Sequence, residues 1–187
     1  MIRVYVSRAS AAVLSLCLLL ALLPLTGCAL KGSEADSAAN QAEELAQEGL
    51  EDFNHGRYNS ALETFEKLKE QHPFSRYSLL AELKIADSNY YLKRYEEARV
   101  LYEEFERNHP TNEAIPYVLF QIGMSHFQQI DTADRDTEGA TEAIQAFSRL
   151  LRTFPQTAYT EEATERIKAA RDFLAKHELY VANFYIR

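Results

Sequence analysis

Cysteine is almost missing from this chain. Its 187 residues hold two, Cys17 and Cys28, and none follows. Beyond Cys28, therefore, neither a disulfide nor a thiolate zinc site can staple the fold, and a packed apolar core must hold it. Tryptophan is absent, and basic residues are scarce: once Arg3 and Arg8 are set aside, 18 basic side chains face 28 acidic ones. That balance disfavours nucleic acid and anionic lipid head groups as partners, because both reward clustered Lys and Arg. Also missing are a G-x-S-x-G elbow, a glycine-rich phosphate loop and a free cysteine for nucleophilic attack, so no motif for covalent or phosphoryl chemistry is present.

What is present begins with a charged start, MIRVYVSR, followed by an apolar run from Ala9 to Leu25 that is broken near its end by Pro24. The run is marginal for a membrane span, which needs about 20 apolar residues. It is followed at once by polar KGSEADSAANQAEE, without the basic flank of a stop-transfer helix. It reads as an export signal over residues 1–27. Cys17 lies inside that segment and leaves with it, so a Cys17–Cys28 disulfide is set aside. The tetrad Leu25, Thr26, Gly27, Cys28 resembles the bacterial lipobox, which implies Cys28 as the first mature residue and the site of lipid attachment. Two or three acyl chains would anchor it durably, since one alone binds a membrane only marginally. Ala29 in place of Asp implies, by the sorting rule of many Gram-negative lipoproteins, passage to the outer membrane. Residues 28–40 read as a flexible tether.

From residue 41 the chain repeats itself. Three segments end alike, FEKLKEQHP, YEEFERNHP and FSRLLRTFP, and Gly49, Ala86 and Gly123 recur at intervals of 37, as do Phe53, Tyr90 and Phe127. Self-similarity at this period marks a helical repeat. Apolar residues inside each unit follow helical spacing, for example Tyr58, Ala61, Leu62, Phe65 and Leu68. Each unit thus holds two helices, with small residues where they approach and a proline, Pro73, Pro110 or Pro155, ending the second. The motif of Gly49, Tyr58, Ala61, Phe65 and Pro73, with Gly56 in the turn, resembles the tetratricopeptide repeat. The second unit has Ala86 for glycine and Lys93 in the turn. The third carries an insertion within QQIDTADRDTEGA. The expected fold is all-α, a tetratricopeptide-repeat solenoid of about three and a half helix pairs, with repeats near 42–75, 79–112 and 116–157 and a partial repeat over 158–187. Residues 156–187 contain neither Gly nor Pro and read as one long helix. Its apolar Val181, Phe184 and Tyr185 call for cover, so the chain reads as a piece of a longer array or as one covered by something else.

Metal and catalytic patterns are incomplete. HELYV, His177 to Val181, opens like a zinc-protease motif but has Val181 where the second histidine belongs. Asp134, Asp136 and Glu138 open like a calcium loop, but Gln145 stands where the bidentate Glu is required. Turn formation explains the aspartates, with Thr137 or Thr141 capping the next helix. His72 and His109 precede proline at equivalent repeat positions. No cofactor is expected beyond a covalent lipid on Cys28. Projection of the repeat pattern lines a face with Leu50, Phe53, Lys84, Asp87, Tyr90, Tyr91, Gln121, Met124 and Phe127, where aromatics could seat a peptide, although a helical aromatic stripe also serves as core.

The signal, lipobox and repeats together, and more sharply HPFSRYS (72–78), DRD (134–136), FPQTAYTEEA (154–163) and LAKHELYVANFYIR (174–187), resemble the BamD family of outer-membrane β-barrel assembly lipoproteins. The resemblance implies a non-enzymatic scaffold facing the periplasm from the outer membrane. Its implied partners are a BamA-like barrel insertase, other assembly lipoproteins, unfolded outer-membrane proteins and outer-membrane lipid. It also implies that the first repeats hold the C-terminal sorting signal of barrel substrates, with Phe74, Tyr77, Tyr90 and Tyr91 as aromatic seats. Alternatives are another repeat lipoprotein, such as a pilotin for pilus secretin assembly or a cell-envelope coordination factor, and an envelope hydrolase whose catalytic part lies past Arg187.

Overall fold

A computed structural model describes residues 27–130 and 137–186, with side chains from residue 36 onward. The signal segment, Leu25 and Thr26 of the lipobox, and Asp134 and Asp136 of the calcium-like loop lie outside the described residues. The chain divides into a unit of residues 1–41 and a repeat body, Ala42–Arg187.

All the described secondary structure is helical: α1 (Gly27–Asn54), α2 (Tyr58–Gln71), α3 (Ser78–Tyr91), α4 (Tyr95–Asn108), α5 (Ile115–Phe127), α6 (Glu138–Thr153) and α7 (Thr160–Ile186). In the repeat body these form the pairs α1/α2, α3/α4 and α5/α6 with α7 unpaired, the three and a half pairs expected. One expectation is corrected. Residues 28–40, read as a flexible tether from their polar composition, belong to α1. They hold four alanines with a leucine, a lysine and a glutamate, and no proline. Extending an existing helix through such good formers adds one hydrogen bond per residue fixed, without a new nucleus.

The pairs close through one recurrent contact. A Cβ built on Gly49 would lie 2.8 Å from the Phe65 ring, and one on Gly123 would lie 2.5 Å from the Phe147 ring. Both rings are fully buried, with Ala61, Leu68, Ala143 and Leu150 around them. Glycine is needed here for absence of bulk, because the aromatic on the second helix fills the space a methyl would take. The middle pair has Ala86 and Tyr102 at these places, both buried.

Turns repeat as faithfully as helices. Gly56 (φ 74°) and Lys93 (φ 62°) close the first and second pairs in the left-handed region. Lysine therefore occupies a conformation that suits glycine. Each second helix ends one residue before a cap that precedes proline: His72, His109 and Phe154, all near φ −130° with ψ between 54° and 74°, because a residue before proline is pushed out of the helical region. Between repeats, Ser75 Oγ, Asn112 Oδ1 and Thr157 Oγ1 each accept a backbone N–H two residues on, from Tyr77 (3.3 Å), Ala114 (2.9 Å) and Tyr159 (3.2 Å). A side-chain acceptor at this offset sets the turn. Thr137 does occupy the position before α6, but its backbone is already helical and its hydroxyl makes no capping bond. Thr141 instead donates to the Thr137 carbonyl at 3.1 Å.

Two apolar clusters fill the repeat body. The first gathers Leu45, Ala46, Phe65, Leu68 and Ile85, and the second Tyr102, Phe105, Val118, Phe147, Leu150 and Ile167, among others. Leu101 packs against both. On α7 only Ala163, Ile167 and Ala170 are buried, whereas Leu179, Tyr180, Phe184, Tyr185 and Ile186 are exposed.

Gly123→Ala is expected to destabilise the fold by about 1 kcal/mol or more, since overpacking a tight core outweighs the gain in helix propensity. Lys93→Gly should stabilise it by about 1 kcal/mol by releasing a strained φ. Urea denaturation followed by helicity reads both, and a stable Gly123→Ala protein would show that the Phe147 ring can yield.

Candidate functional site

The first helices of the repeats, α1, α3 and α5, carry the residues projected onto a shared face. Lys84, Asp87 and Tyr91 fall on one side of α3, three and four residues apart. Lys84 Nζ sits 4.2 Å above the Phe53 ring of α1 and 2.8 Å from Asp87 Oδ2. Phe53 meets Tyr91 edge-on at 5.6 Å, and Tyr91 stacks on Tyr58 at 4.8 Å with 11° between the rings. Tyr90 adjoins Tyr91 and Tyr95 edge-on, at 5.7 and 5.4 Å, and receives a hydrogen bond from Gln128 Nε2 at 3.3 Å. Tyr91 is half exposed, Tyr90 and Phe53 are partly buried, and burial pushes both tyrosine hydroxyls above their ordinary range. Phenol rings that keep their protons offer an apolar body with a polar tip, suited to holding peptide groups.

Asp87 is a different kind of residue. It is 2% exposed and both carboxylate oxygens are engaged: Oδ1 accepts from the hydroxyls of Tyr102 on α4 and Tyr117 on α5, both at 2.6 Å, while Oδ2 accepts from Lys84. Gln121 Nε2 donates to the Tyr117 hydroxyl at 3.0 Å. Such a buried carboxylate would be costly alone and is tolerated because both of its oxygens accept short hydrogen bonds, one of them from a cation. Asp87 therefore positions the face rather than presenting a free ligand group. It ties α3 to α4 and α5, and through Lys84 to the Phe53 ring on α1. Tyr102 and Tyr117 are pushed well above the usual tyrosine range, first by burial and then by the adjacent Asp87 charge.

The repeat places a second cation over a second aromatic: Arg166 on α7 stands 5.2 Å from the Phe127 ring, one repeat position after another from Lys84 over Phe53. Between them the corresponding pair is Gln121 and Tyr90, so the charge is interrupted in the middle. Phe74 and Tyr77 occupy the turn between α2 and α3. Phe74 is 100% exposed. Tyr77 packs on the first apolar cluster, with Arg76 4.7 Å above its ring and Arg76 also paired to Glu43 at 2.9 Å. Phe53, Lys84, Asp87, Tyr90 and Tyr91 are thus brought together, Phe127 continues the face through Arg166, and Phe74 and Tyr77 belong to a turn.

The sequence pattern did not place Tyr58, Tyr102 or Tyr117 on this face. A signal for Tyr102 existed: Phe65 and Phe147 fill its place in the neighbouring repeats, so its hydroxyl is a polar atom added to a core position and requires an acceptor. Among the described residues no group of three His, Cys, Asp or Glu side chains is placed to hold a metal, and no helix is long and apolar enough to cross a membrane.

A family model described as YfiO, outer membrane lipoprotein, matches residues 38–187. The chain belongs to this family. Among its relatives, outer membrane protein assembly factor BamD of Vibrio cholerae is 32% identical over 180 residues, covering 90% of this chain and 73% of that protein. BamD of Neisseria gonorrhoeae is 30% identical over 179 residues, covering 88% and 67%. This chain accordingly spans roughly two thirds to three quarters of those family members' lengths. Solved structures agree on the fold: the first tetratricopeptide-repeat domain of human RPAP3 superposes with a TM-score of 0.55 at 20% identity, over 75% of this chain and 97% of that one. MamA from Desulfovibrio magneticus gives 0.50 at 16%, over 83% and 90%. The YfiO fold is thus the all-α repeat array expected.

Tyr102→Phe should cost about 1–2 kcal/mol by leaving Asp87 short of one donor. The pH dependence follows from Tyr102 and Tyr117. Their folded values lie above the ordinary 10.0, so the unfolded chain loses these protons first. Their stabilisation is complete below pH 10 and is lost as pH rises through the folded values. Helicity in alkaline titration should fall at a higher pH in Tyr117→Phe, compared at matched initial stability, than in the parent.

Proposed function

We propose that this protein is a non-enzymatic scaffold of outer-membrane β-barrel assembly, which captures unfolded barrel substrates on the face of α1, α3 and α5 and hands them to a BamA-like insertase. The single observation that carries the reading is the agreement between family membership, through relatives named as outer membrane assembly factors, and an aromatic face with accessible rings on the first helices. Tyr91 offers an exposed ring stacked on Tyr58, and a C-terminal aromatic side chain of an extended substrate can join that stack. Rings held by neighbours lose little freedom on binding, which favours capture by stacking. No bond need form or break.

Attachment belongs to the same proposal. Cys28 carries the lipid and fixes the protein to the outer membrane from the periplasmic side, among other assembly lipoproteins. The acidic surface suits this, because it does not compete for anionic lipid heads and leaves the acyl chains to set the location.

Affinity purification from solubilised outer membranes tests the partners: recovery of a BamA-like barrel protein supports the scaffold, whereas a secretin in its place supports a pilotin. Tyr90→Ala combined with Tyr91→Ala should weaken binding of a barrel C-terminal peptide about tenfold, the loss expected when aromatic anchors are truncated, with helicity retained. Unchanged peptide affinity would remove those rings from the binding face. Cys28→Ala should release the protein from membranes on carbonate washing.

A further inference from the structure

A second groove lies on the other helices of the repeats. It runs between α4 and α6, encloses about 590 Å³, and has Ile122 of α5 and Ile144 and Ala146 of α6 in its lining. A smaller recess of about 410 Å³ adjoins it, sharing Glu103 and Arg149. The aromatic face described above contributes no residue to either.

Charge is sorted along this groove. Toward the N-terminal ends of α4 and α6 stand Glu96, beside the groove, and Glu142, in its lining; Arg99 bonds to Glu96 and to Glu103, which lies past the middle of α4 and lines both recesses. Burial, and then the nearby Arg99 charge, hold the His126 imidazole below its ordinary range, so near neutral pH it adds no positive charge there. Toward the C-terminal ends stand Arg107, Arg149 and Arg152, with Glu106 paired to Arg149 across the groove at 2.9 Å. One end is net acidic and the other net basic. Among the described residues Glu142, Arg107 and Arg152 have no ion-pair partner. Acids in first turns and bases in last turns suit each helix's own dipole. That accounts for the signs, and the parallel course of two equivalent second helices aligns them along the walls of one cavity, where Glu142 and Arg152 remain unpaired.

We propose that this groove is a docking surface for an extended segment of a partner polypeptide with basic side chains at one end, acidic side chains at the other and small apolar residues between. The opposed charges exclude a simple anion, nucleic acid or an anionic lipid surface, each of which presents one sign. Glu142 and Arg152 are ten residues apart on α6, about 15 Å at the helical rise. An extended chain covers that distance in about four to five residues, which fixes the spacing of the complementary charges.

Fluorescence anisotropy of the full chain with labelled Lys-Lys-Ala-Val-Ala-Asp-Asp, and with its all-acidic and all-basic counterparts, tests this. The mixed peptide should bind at least tenfold more tightly than either counterpart, and less tightly as salt rises. Arg152→Glu should weaken the mixed peptide about tenfold and turn the preference to the all-basic one. Glu142→Lys combined with Arg152→Glu should restore mixed-peptide binding, because the peptide can turn round, and Tyr91→Ala should leave it unchanged. Helicity checks that each variant folds. Equal binding of the all-acidic peptide, absence of saturable binding of the mixed one, or indifference to Arg152→Glu would each overturn the proposal.

Discussion

The distance between the two helices of a pair is the constraint on which the rest of the molecule depends. It is set by an aromatic ring on the second helix pressed into the place of a missing side chain on the first: Phe65 against Gly49, and Phe147 against Gly123. Once that approach is fixed, the alanines Ala61 and Ala143 are enclosed with no exposed surface, and the repeats stack on a common spacing. The middle pair solves the same problem with Ala86 and Tyr102. The change has consequences, because the tyrosine brings a hydroxyl into the core and a buried hydroxyl needs a partner.

Asp87 is that partner, and it draws the face together. By accepting from Tyr102 and Tyr117 it joins the second and third repeats, and by accepting from Lys84 it holds an ammonium over the Phe53 ring of the first. A carboxylate in this position is buried where its removal would orphan several donors at once, and such networks are worth more than their pairwise bonds. The aromatic face and the core of the middle repeat are therefore one structure, which distinguishes it from an aromatic patch resting on an indifferent scaffold.

Much of this was legible in the chain. The interval of 37 residues, the small residue and the aromatic, and the terminal prolines each report a steric requirement, and such requirements are local enough to be read without coordinates. Phe53, Lys84, Asp87, Tyr90 and Tyr91 could be placed on a common face for the same reason. What could not be read was the difference between presenting and positioning. Asp87 and Tyr91 occupy the same side of α3, yet one is engaged by hydroxyls from two other helices and the other is half exposed; that depends on Tyr117, thirty residues away. The helical residues 28–40 escaped for another reason. Their composition is that of a soluble linker, and only continuity with a packed helix makes the helical state the cheaper one.

The repeat body has two apolar clusters, and the aromatic face crosses their boundary. Phe53 packs on the first cluster and Tyr90 on the second, with Leu101 touching both. A ligand spanning Phe53 and Tyr90 would act as a staple across that boundary, resisting the separation of the two cores as well as occupying a site. Binding to the joined state alone raises its stability in proportion to the logarithm of one plus the ratio of free ligand to Kd. Occupancy of the face and the stiffness of the array would then be two readings of one free energy.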